Sequence, residues 1–123
     1  MKLKTKEADV VSAINEYLII LEKQGKIIFM RNNTGAVISE YKGKKRMWRV
    51  GKKGWSDFIL WKPVHFAIGI NTTFSFLRSY FLEVKSSSGK LLGDQLAFEQ
   101  QVQRLGGKYY VVRSVEEVKQ ILL

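Results

Sequence analysis

The chain has 123 residues, of which 46% are hydrophobic, a formal net charge of +10 and no cysteine. This length suits one domain, 1–123, and the hydrophobic content excludes a disordered chain. The lack of cysteine excludes disulfides and thiolate metal sites. No apolar run reaches the roughly 20 residues of a membrane span, and the basic start lacks the apolar core of a signal peptide. We therefore expect a cytoplasmic protein, and the positive charge suggests an anionic polymer as its partner.

Apolar residues at helical spacing predict a first helix over about 6–24. Thr5 is the predicted N-cap, and Gly25 ends the helix. The helix dipole explains an acid at Glu7 in the first turn. Glu7 can also face a functional site, and Glu16 is a second candidate on the same helix.

A β run over 26–31 is followed by turn residues at 32–35. The next two segments, 36–41 and 45–50, predict a hairpin around Lys42-Gly43-Lys44. This hairpin and the loop after it carry a basic cluster without any acid. Its members are Lys42, Lys44, Lys45, Arg46, Arg49, Lys52 and Lys53.

Two tryptophans, Trp48 and Trp55, lie within or just after the basic cluster. Basic side chains with aromatic ones among them suit phosphate contacts combined with base stacking. Trp48 is equally well explained as a core residue of the hairpin. The clustered charge favours nucleic acid over an acidic protein partner or a purely solubilising charge.

Asp57 stands at the head of an apolar run, 58–61, which predicts a buried strand. An acid at the mouth of such a strand is held rigidly, as a metal ligand requires. The following stretch, 62–79, reads as an insertion with two short strands, 66–70 and 73–77. It contains the lone histidine, His65, to which we assign no function.

The sequence Phe81-Leu82-Glu83-Val84-Lys85 predicts a strand that places an acid and a base on one face. Alternation along a strand puts Phe81, Glu83 and Lys85 on that face, and Leu82 and Val84 on the other. The carboxylate can hold a hard cation such as Mg²⁺, and the lysine can act on an attacking water or on phosphate charge. An ordinary strand with an ion pair explains the same five residues.

The C-terminal third predicts a helix over 92–105, a strand over 108–113 and a helix over 115–122 capped by Ser114. Gln95 falls in the first turns of the helix over 92–105. The residues of this helix that are predicted to make apolar contacts are Leu92, Leu96, Phe98, Val102 and Leu105. The element order, α-β-β-β-(insertion)-β-α-β-α, predicts an α/β fold with a mixed β-sheet flanked by α-helices.

Taken together, these motifs resemble the VRR-NUC domain of the PD-(D/E)xK nuclease superfamily, in its stand-alone phage and bacterial type. The resemblance implies a restriction-endonuclease-like fold and Mg²⁺- or Mn²⁺-dependent hydrolysis of DNA phosphodiesters, by an enzyme that can be phage-encoded and act inside a host cell. The segments that carry the resemblance are Glu7, Arg31-Asn32-Asn33-Thr34-Gly35, Gly54-Trp55-Ser56-Asp57, Glu83-Val84-Lys85, Gln95 and Tyr110-Val111-Val112-Arg113-Ser114.

The resemblance also implies a role for each site residue. The implied metal ligands are Asp57, Glu83, the Val84 carbonyl and Glu7. Lys85 would position and activate the attacking water, either as a base or as an electrostatic stabiliser, and Gln95 would steady the lysine or the scissile phosphate. Arg31 and Asn33 join the basic cluster as DNA-binding candidates.

The substrate implied by the resemblance is branched DNA. Stand-alone members of this type are similar in architecture to Holliday-junction resolvases, which act as dimers on two-fold substrates. We expect the apolar insertion, 62–79, to contribute to a homodimer. The alternative that stays open is a non-catalytic, basic nucleic-acid-binding module; a structural protein for an acidic partner explains the charge only.

Overall fold

The structure, a computed structural model, describes residues 6–33 and 35–123, without the side chains at 35–38 and 48–50. The described residues form three helices and six strands. The helices are α1 (Glu7–Lys23), α2 (Asp94–Arg104) and α3 (Val115–Leu122); the strands are β1 (Ile28–Arg31), β2 (Gly35–Tyr41), β3 (Lys44–Val50), β4 (Phe58–Ile68), β5 (Thr72–Val84) and β6 (Lys108–Val112). Their order along the chain is α1-β1-β2-β3-β4-β5-α2-β6-α3. None of these helices is long and apolar enough to cross a membrane.

A mixed four-stranded sheet in the order β1-β4-β5-β6 forms the centre of the fold. The β1–β4 and β4–β5 pairs are antiparallel, and the β5–β6 pair is parallel. The β2–β3 hairpin forms a sheet of its own. The predicted α/β class with a mixed sheet flanked by helices is therefore confirmed.

Alternation along β4 and β5 gives the sheet two apolar faces. Phe58, Leu60, Leu82 and Val84 are fully buried on one face, in a core cluster that includes the apolar residues of α1 and Val118 of α3. The opposite face carries Phe81 and Tyr109, which pack against Phe98 and Val102 of α2. The face on which Glu83 and Lys85 were predicted, together with Phe81, is thus the face that α2 covers.

The two short strands predicted over 66–70 and 73–77 do form a hairpin, but they are the ends of β4 and β5 rather than separate strands of an insertion. The residues of the stretch 62–79 continue β4 and β5 in one unbroken register, from Phe58 opposite Leu82 to Ile68 opposite Thr72. Four strands precede β5, including the predicted buried strand that begins at Phe58, whereas the predicted element order counts three before the insertion. Pro63 does not end β4, because pairing with β1 stops at Trp61 and leaves that edge without a partner strand.

The helix predicted over 92–105 is shorter than expected and buries fewer residues. It begins at Asp94, after Gly93 with a φ of 42°, and only Phe98 and Val102 are buried. Leu92, Leu96 and Leu105 are 74%, 43% and 76% exposed, so their predicted apolar contacts were wrong. A narrow contact with the sheet leaves most of the α2 surface to solvent.

The other elements agree with the predicted bounds within two residues. Gly25, with a φ of 72°, follows α1 as expected. The Ser114 hydroxyl caps α3 by accepting from the Glu117 amide at 3.2 Å. Lys6 occupies the N-cap position of α1 without a side-chain cap, and the predicted cap, Thr5, lies outside the described residues.

Candidate metal centre

Three carboxylates from different parts of the chain meet at one end of the central sheet. Asp57 directly precedes β4, Glu83 is the penultimate residue of β5, and Glu7 begins α1. One oxygen of each side chain lies within 4.8 Å of the others. Like charges at this separation repel, and a hard cation with oxygen ligands relieves the repulsion. Glu16, the other candidate on α1, is exposed and is not part of this cluster.

Glu83 is the most buried of the three carboxylates. The residue is 3% exposed, and its Oε2 atom has no hydrogen-bond partner among the described residues. Burial first, and then the neighbouring Asp57, raise the pKa of Glu83 to about 8. A buried oxygen without a partner is costly for the protein alone. This oxygen fits the role of a cation ligand.

Asp57 is tied to the strand that carries Glu83. Its Oδ2 atom accepts a hydrogen bond of 2.7 Å from the Val84 amide. The N–H and C=O of one residue in a strand point to the same side, so the Val84 carbonyl suits the predicted ligand position. Burial raises the pKa of Asp57, although the bond from Val84 opposes this rise.

Lys85 and Gln95 both approach the other oxygen of Glu83. The Lys85 Nζ atom lies 3.5 Å from Glu83 Oε1, and Gln95 Nε2 donates to the same oxygen at 3.0 Å. Gln95 is itself held where α2 begins, because its Oε1 accepts from the Leu92 amide at 3.3 Å. Two donors thus fix one carboxylate oxygen of Glu83, while the second oxygen has no hydrogen-bond partner in the described part of the chain.

A cleft of about 390 Å³ opens beside the carboxylates on the α1 side. Glu7 and Asp57 line it together with Arg31 and Asn33. The structure therefore brings these two DNA-binding candidates to the acidic cluster.

A family model for the VRR-NUC domain matches residues 11–116 of this sequence. The chain belongs to the VRR-NUC domain family. Membership implies a nuclease-type function with DNA as the partner, and nucleases of this family normally depend on a metal. The carboxylate cluster agrees with that, although Glu7 lies before the matched residues and its place rests on geometry. No curated protein matches the chain, and no solved structure matches it.

The basic cluster of this VRR-NUC domain divides into two groups. Lys42, Lys44, Lys45 and Arg46 are exposed on the separate β2–β3 hairpin; the side chain of Arg49, and that of Trp48, lie outside the described part. In the following loop, Lys52 places its Nζ atom 4.5 Å from the centre of the Trp55 ring. Trp55 itself stacks on Phe98 at 4.7 Å between ring centroids, so it is half-buried in the core against α2.

Asn32 holds this loop beside the carboxylate cluster of the VRR-NUC domain, a structural role that the sequence did not reveal. It is 8% exposed, donates to the Lys52 carbonyl at 2.9 Å and accepts from the Lys52 amide at 2.8 Å. The backbone amide of Asn32 donates a hydrogen bond to the Asp57 carbonyl at 2.7 Å. The loop approaches closely at Gly51, whose φ is 76° and where a Cβ would lie 2.7 Å from Asn32 Oδ1. The segment 32–35 has the composition of a turn, so the sequence did not indicate that Asn32 bridges to Lys52.

Two further polar residues near the centre were also missed. Ser56 is fully buried and donates to the Phe58 carbonyl at 3.0 Å, which fixes the chain around Asp57. Tyr109 is 8% exposed, and its hydroxyl has no partner among the described residues. Burial, followed by the charge of Glu83, raises the pKa of the Tyr109 hydroxyl. In the sequence, Tyr109 lies in an apolar strand, and this pattern predicts only a core residue.

Proposed function

We propose that this VRR-NUC domain, acting as one unit over residues 1–123, is an endodeoxyribonuclease that requires Mg²⁺ or Mn²⁺. Its proposed substrate is branched DNA such as a four-way junction, which it cuts as a homodimer in the cytoplasm. The observation that carries the proposal is the cluster of Glu7, Asp57 and Glu83, with a buried unpartnered oxygen on Glu83 and Lys85 alongside.

Asp57, Glu83, the Val84 carbonyl and Glu7 would hold the cation. All of these donors are oxygens, which Mg²⁺ and Mn²⁺ both prefer. A bound cation supplies Lewis-acid chemistry by lowering the pKa of water and neutralising charge on the phosphate. Its binding would relieve the repulsion among the three carboxylates.

Lys85 would act on the attacking water and on the charge that develops at the phosphate. Its side chain is 12% exposed, so its ammonium group acts in a largely water-excluded place, where such charge stabilisation is strong. Gln95 would keep Glu83 in one orientation through its 3.0 Å hydrogen bond. Lys85 and the cation ligands then stay in fixed relative positions.

Binding of DNA would use the two sets of basic residues around the centre. Arg31 and Asn33 line the cleft next to Glu7 and Asp57. The hairpin and loop supply Lys42, Lys44, Lys45, Arg46, Arg49, Lys52 and Lys53. With a net charge of +10, these contacts suit recognition of the phosphate backbone rather than of base edges.

The far end of the β4–β5 hairpin supports the proposed homodimer. Phe66, Phe74 and Phe76 are 44–50% exposed, and the rings of Phe66 and Phe74 stack at 5.6 Å. Ile68 and Ile70 at the tip are 54% and 99% exposed. An exposed apolar patch of this kind marks an interface. A two-fold dimer presents two metal centres to a substrate that itself has two-fold symmetry.

The deciding experiment compares cleavage of a labelled four-way junction with that of a linear duplex of the same sequence. We expect cleavage with Mg²⁺ and with Mn²⁺, none with a chelator, and faster cleavage of the junction. Equal rates on both DNAs would contradict the branched substrate. Salt-sensitive binding without cleavage under any metal would instead establish a non-catalytic binding module.

The aromatic patch predicts that the double substitution Phe66→Ser/Phe74→Ser converts the dimer to a monomer. Both rings are half-exposed, so the hairpin itself should still form. Light scattering after size-exclusion chromatography measures the mass. Ile20→Ser removes another half-exposed apolar side chain, on α1, and should leave the mass unchanged. A wild-type protein that is already monomeric, or a double variant that stays dimeric, would refute the assignment of this patch.

A further inference from the structure

A second and larger cleft lies on the α2 side of the metal centre. Its volume is about 630 Å³, within the roughly 300–1,000 Å³ range of small-ligand sites. Its lining residues are Lys53, Trp55, Asp94, Ala97, Phe98, Gln100, Gln101 and Arg104. Asp94 lines the cleft, while the next residue, Gln95, hydrogen-bonds to Glu83. The first turn of α2 therefore connects the cleft directly to the metal centre.

The walls of this cleft are fixed by close packing. Gly54 approaches α2 so closely that a Cβ there would lie 2.7 Å from Asp94 Cβ, and its φ is 84°. Trp55, the next residue, stacks on Phe98 with an angle of 23° between the rings. The basic loop is thereby held against α2, and the cleft between them is lined by Lys53, Trp55 and Phe98.

One exposed face of α2 forms a wall of the cleft. Ala97, Gln101 and Arg104 follow one another at intervals of four and three residues, so they share one face of the helix. All three are exposed, whereas Phe98 and Val102 pack onto the sheet. Glutamine amides both donate and accept hydrogen bonds, and base edges present both kinds of group. Arg104 adds a cation at the far end of this face.

The charges in the cleft favour an anionic occupant. Lys53 and Arg104 are basic, and Asp94 is the only acid among the lining residues. Lys53 and Asp94 lie 3.8 Å apart with side chains 76% and 69% exposed, so water screens this pair strongly. A phosphate can replace Asp94 as the partner of Lys53 at little cost.

We propose that this cleft is a subsite for an unpaired DNA strand that extends from the metal centre at a branch. This proposal rests on the proposed nuclease function, whose substrate it specifies further. Lys53 and Arg104 are exposed cations that can contact the phosphates of the strand, and the exposed Gln101 amide can hydrogen-bond to any base edge. These features suit binding of a single strand whatever its sequence. A continuous duplex and a fully paired four-way junction have no unpaired strand to offer, so among branched DNAs the subsite favours those that carry one, such as flaps and splayed arms.

The test measures binding of a fluorescein-labelled oligothymidylate by anisotropy, in chelator and at fixed low salt, so that no cleavage is required. Ala97→Trp fills the cleft, and Gln101→Ala/Arg104→Ala removes exposed polar contacts without affecting the core. We expect both variants to lower the affinity about tenfold. The control, Gln103→Ala/Lys23→Ala, removes one glutamine amide and one positive charge from exposed positions outside the cleft and should stay within about twofold of wild type.

Unchanged affinity in both cleft variants would overturn the subsite. It would also be overturned if Ala97→Trp altered the oligomeric mass but not the binding, because the cleft would then be an interface between copies of the chain. Weaker binding in the cleft variants, together with no cleavage under any metal, would uphold the subsite and refute the nuclease proposal. Metal-dependent cleavage by wild type, together with unchanged oligonucleotide binding in both cleft variants, would support the nuclease proposal and refute the subsite.

Discussion

Replacing Lys85 with alanine is expected to lower the DNA cleavage rate by at least about 100-fold, the low end of the range for a proton-transferring or charge-stabilising group. The Lys85 ammonium lies 3.5 Å from Glu83 Oε1 and is almost shielded from water. The carboxylates that would hold the cation remain in this variant. We therefore expect kcat to fall while Mg²⁺ still raises the melting temperature, which separates lost chemistry from lost metal.

Lys23→Ala is the matched control for this substitution. Lys23 is exposed in the last turn of α1, and its loss removes the same charge far from the carboxylates. A rate for Lys85→Ala within threefold of the Lys23→Ala rate would refute the catalytic assignment. Glu83 and Lys85 would then be an ordinary ion pair on a strand.

Replacing Glu83 with glutamine is expected to stabilise the metal-free protein at pH 8 and to abolish its stabilisation by metal. The pKa of Glu83 is 4.5 in a solvated reference and about 8 in the fold. Between these values the folded protein keeps a proton that the unfolded chain has released, so the stability of wild type falls as pH rises. The slope is at most about 1.4 kcal/mol per pH unit.

Calorimetry in chelator and in excess Mg²⁺, below and above pH 8, measures both effects. In wild type, Mg²⁺ should raise the melting temperature by several degrees, most strongly above pH 8, because a cation binds the deprotonated carboxylate. Glutamine keeps an oxygen for the hydrogen bond from Gln95, so the fold should persist. Glu16→Gln, an exposed change on α1, should behave as wild type. An equal Mg²⁺ response in Glu83→Gln would exclude Glu83 as a ligand.

Sequence patterns predicted the features that depend on interactions between residues close together in the chain, such as helices and their caps. The apolar periodicity of α1 and the Ser114 cap each predicted a bound that the structure confirms within two residues. The alternation around Glu83 placed it on the same face as Phe81, opposite Leu82 and Val84. Long-range pairing was harder to predict, because the polar residues Lys62 and Arg78 read as strand ends although they lie opposite each other within one ladder.

The candidate site likewise contains residues that local motifs identify and residues whose contacts are long-range. Asp57, Glu83 and Lys85 were identifiable because each belongs to a short motif, and Gln95 because it follows them on a helix. Asn32 was not, since its partner Lys52 is 20 residues away and nothing local marks the bond. The length of β4 and β5 was equally hidden, because their register depends on continuous pairing rather than on composition.

The β2–β3 hairpin, which Asn32 anchors, is separate from the central sheet. Within residues 6–33 and 35–123, its strands pair only with each other, from Gly35 opposite Val50 to Tyr41 opposite Lys44. Changes in its length or charge therefore need not alter the strands that carry Asp57 and Glu83. The hairpin is thus structurally modular: if it contacts DNA as proposed, changes in it would alter the DNA that is preferred and leave the carboxylate cluster in place.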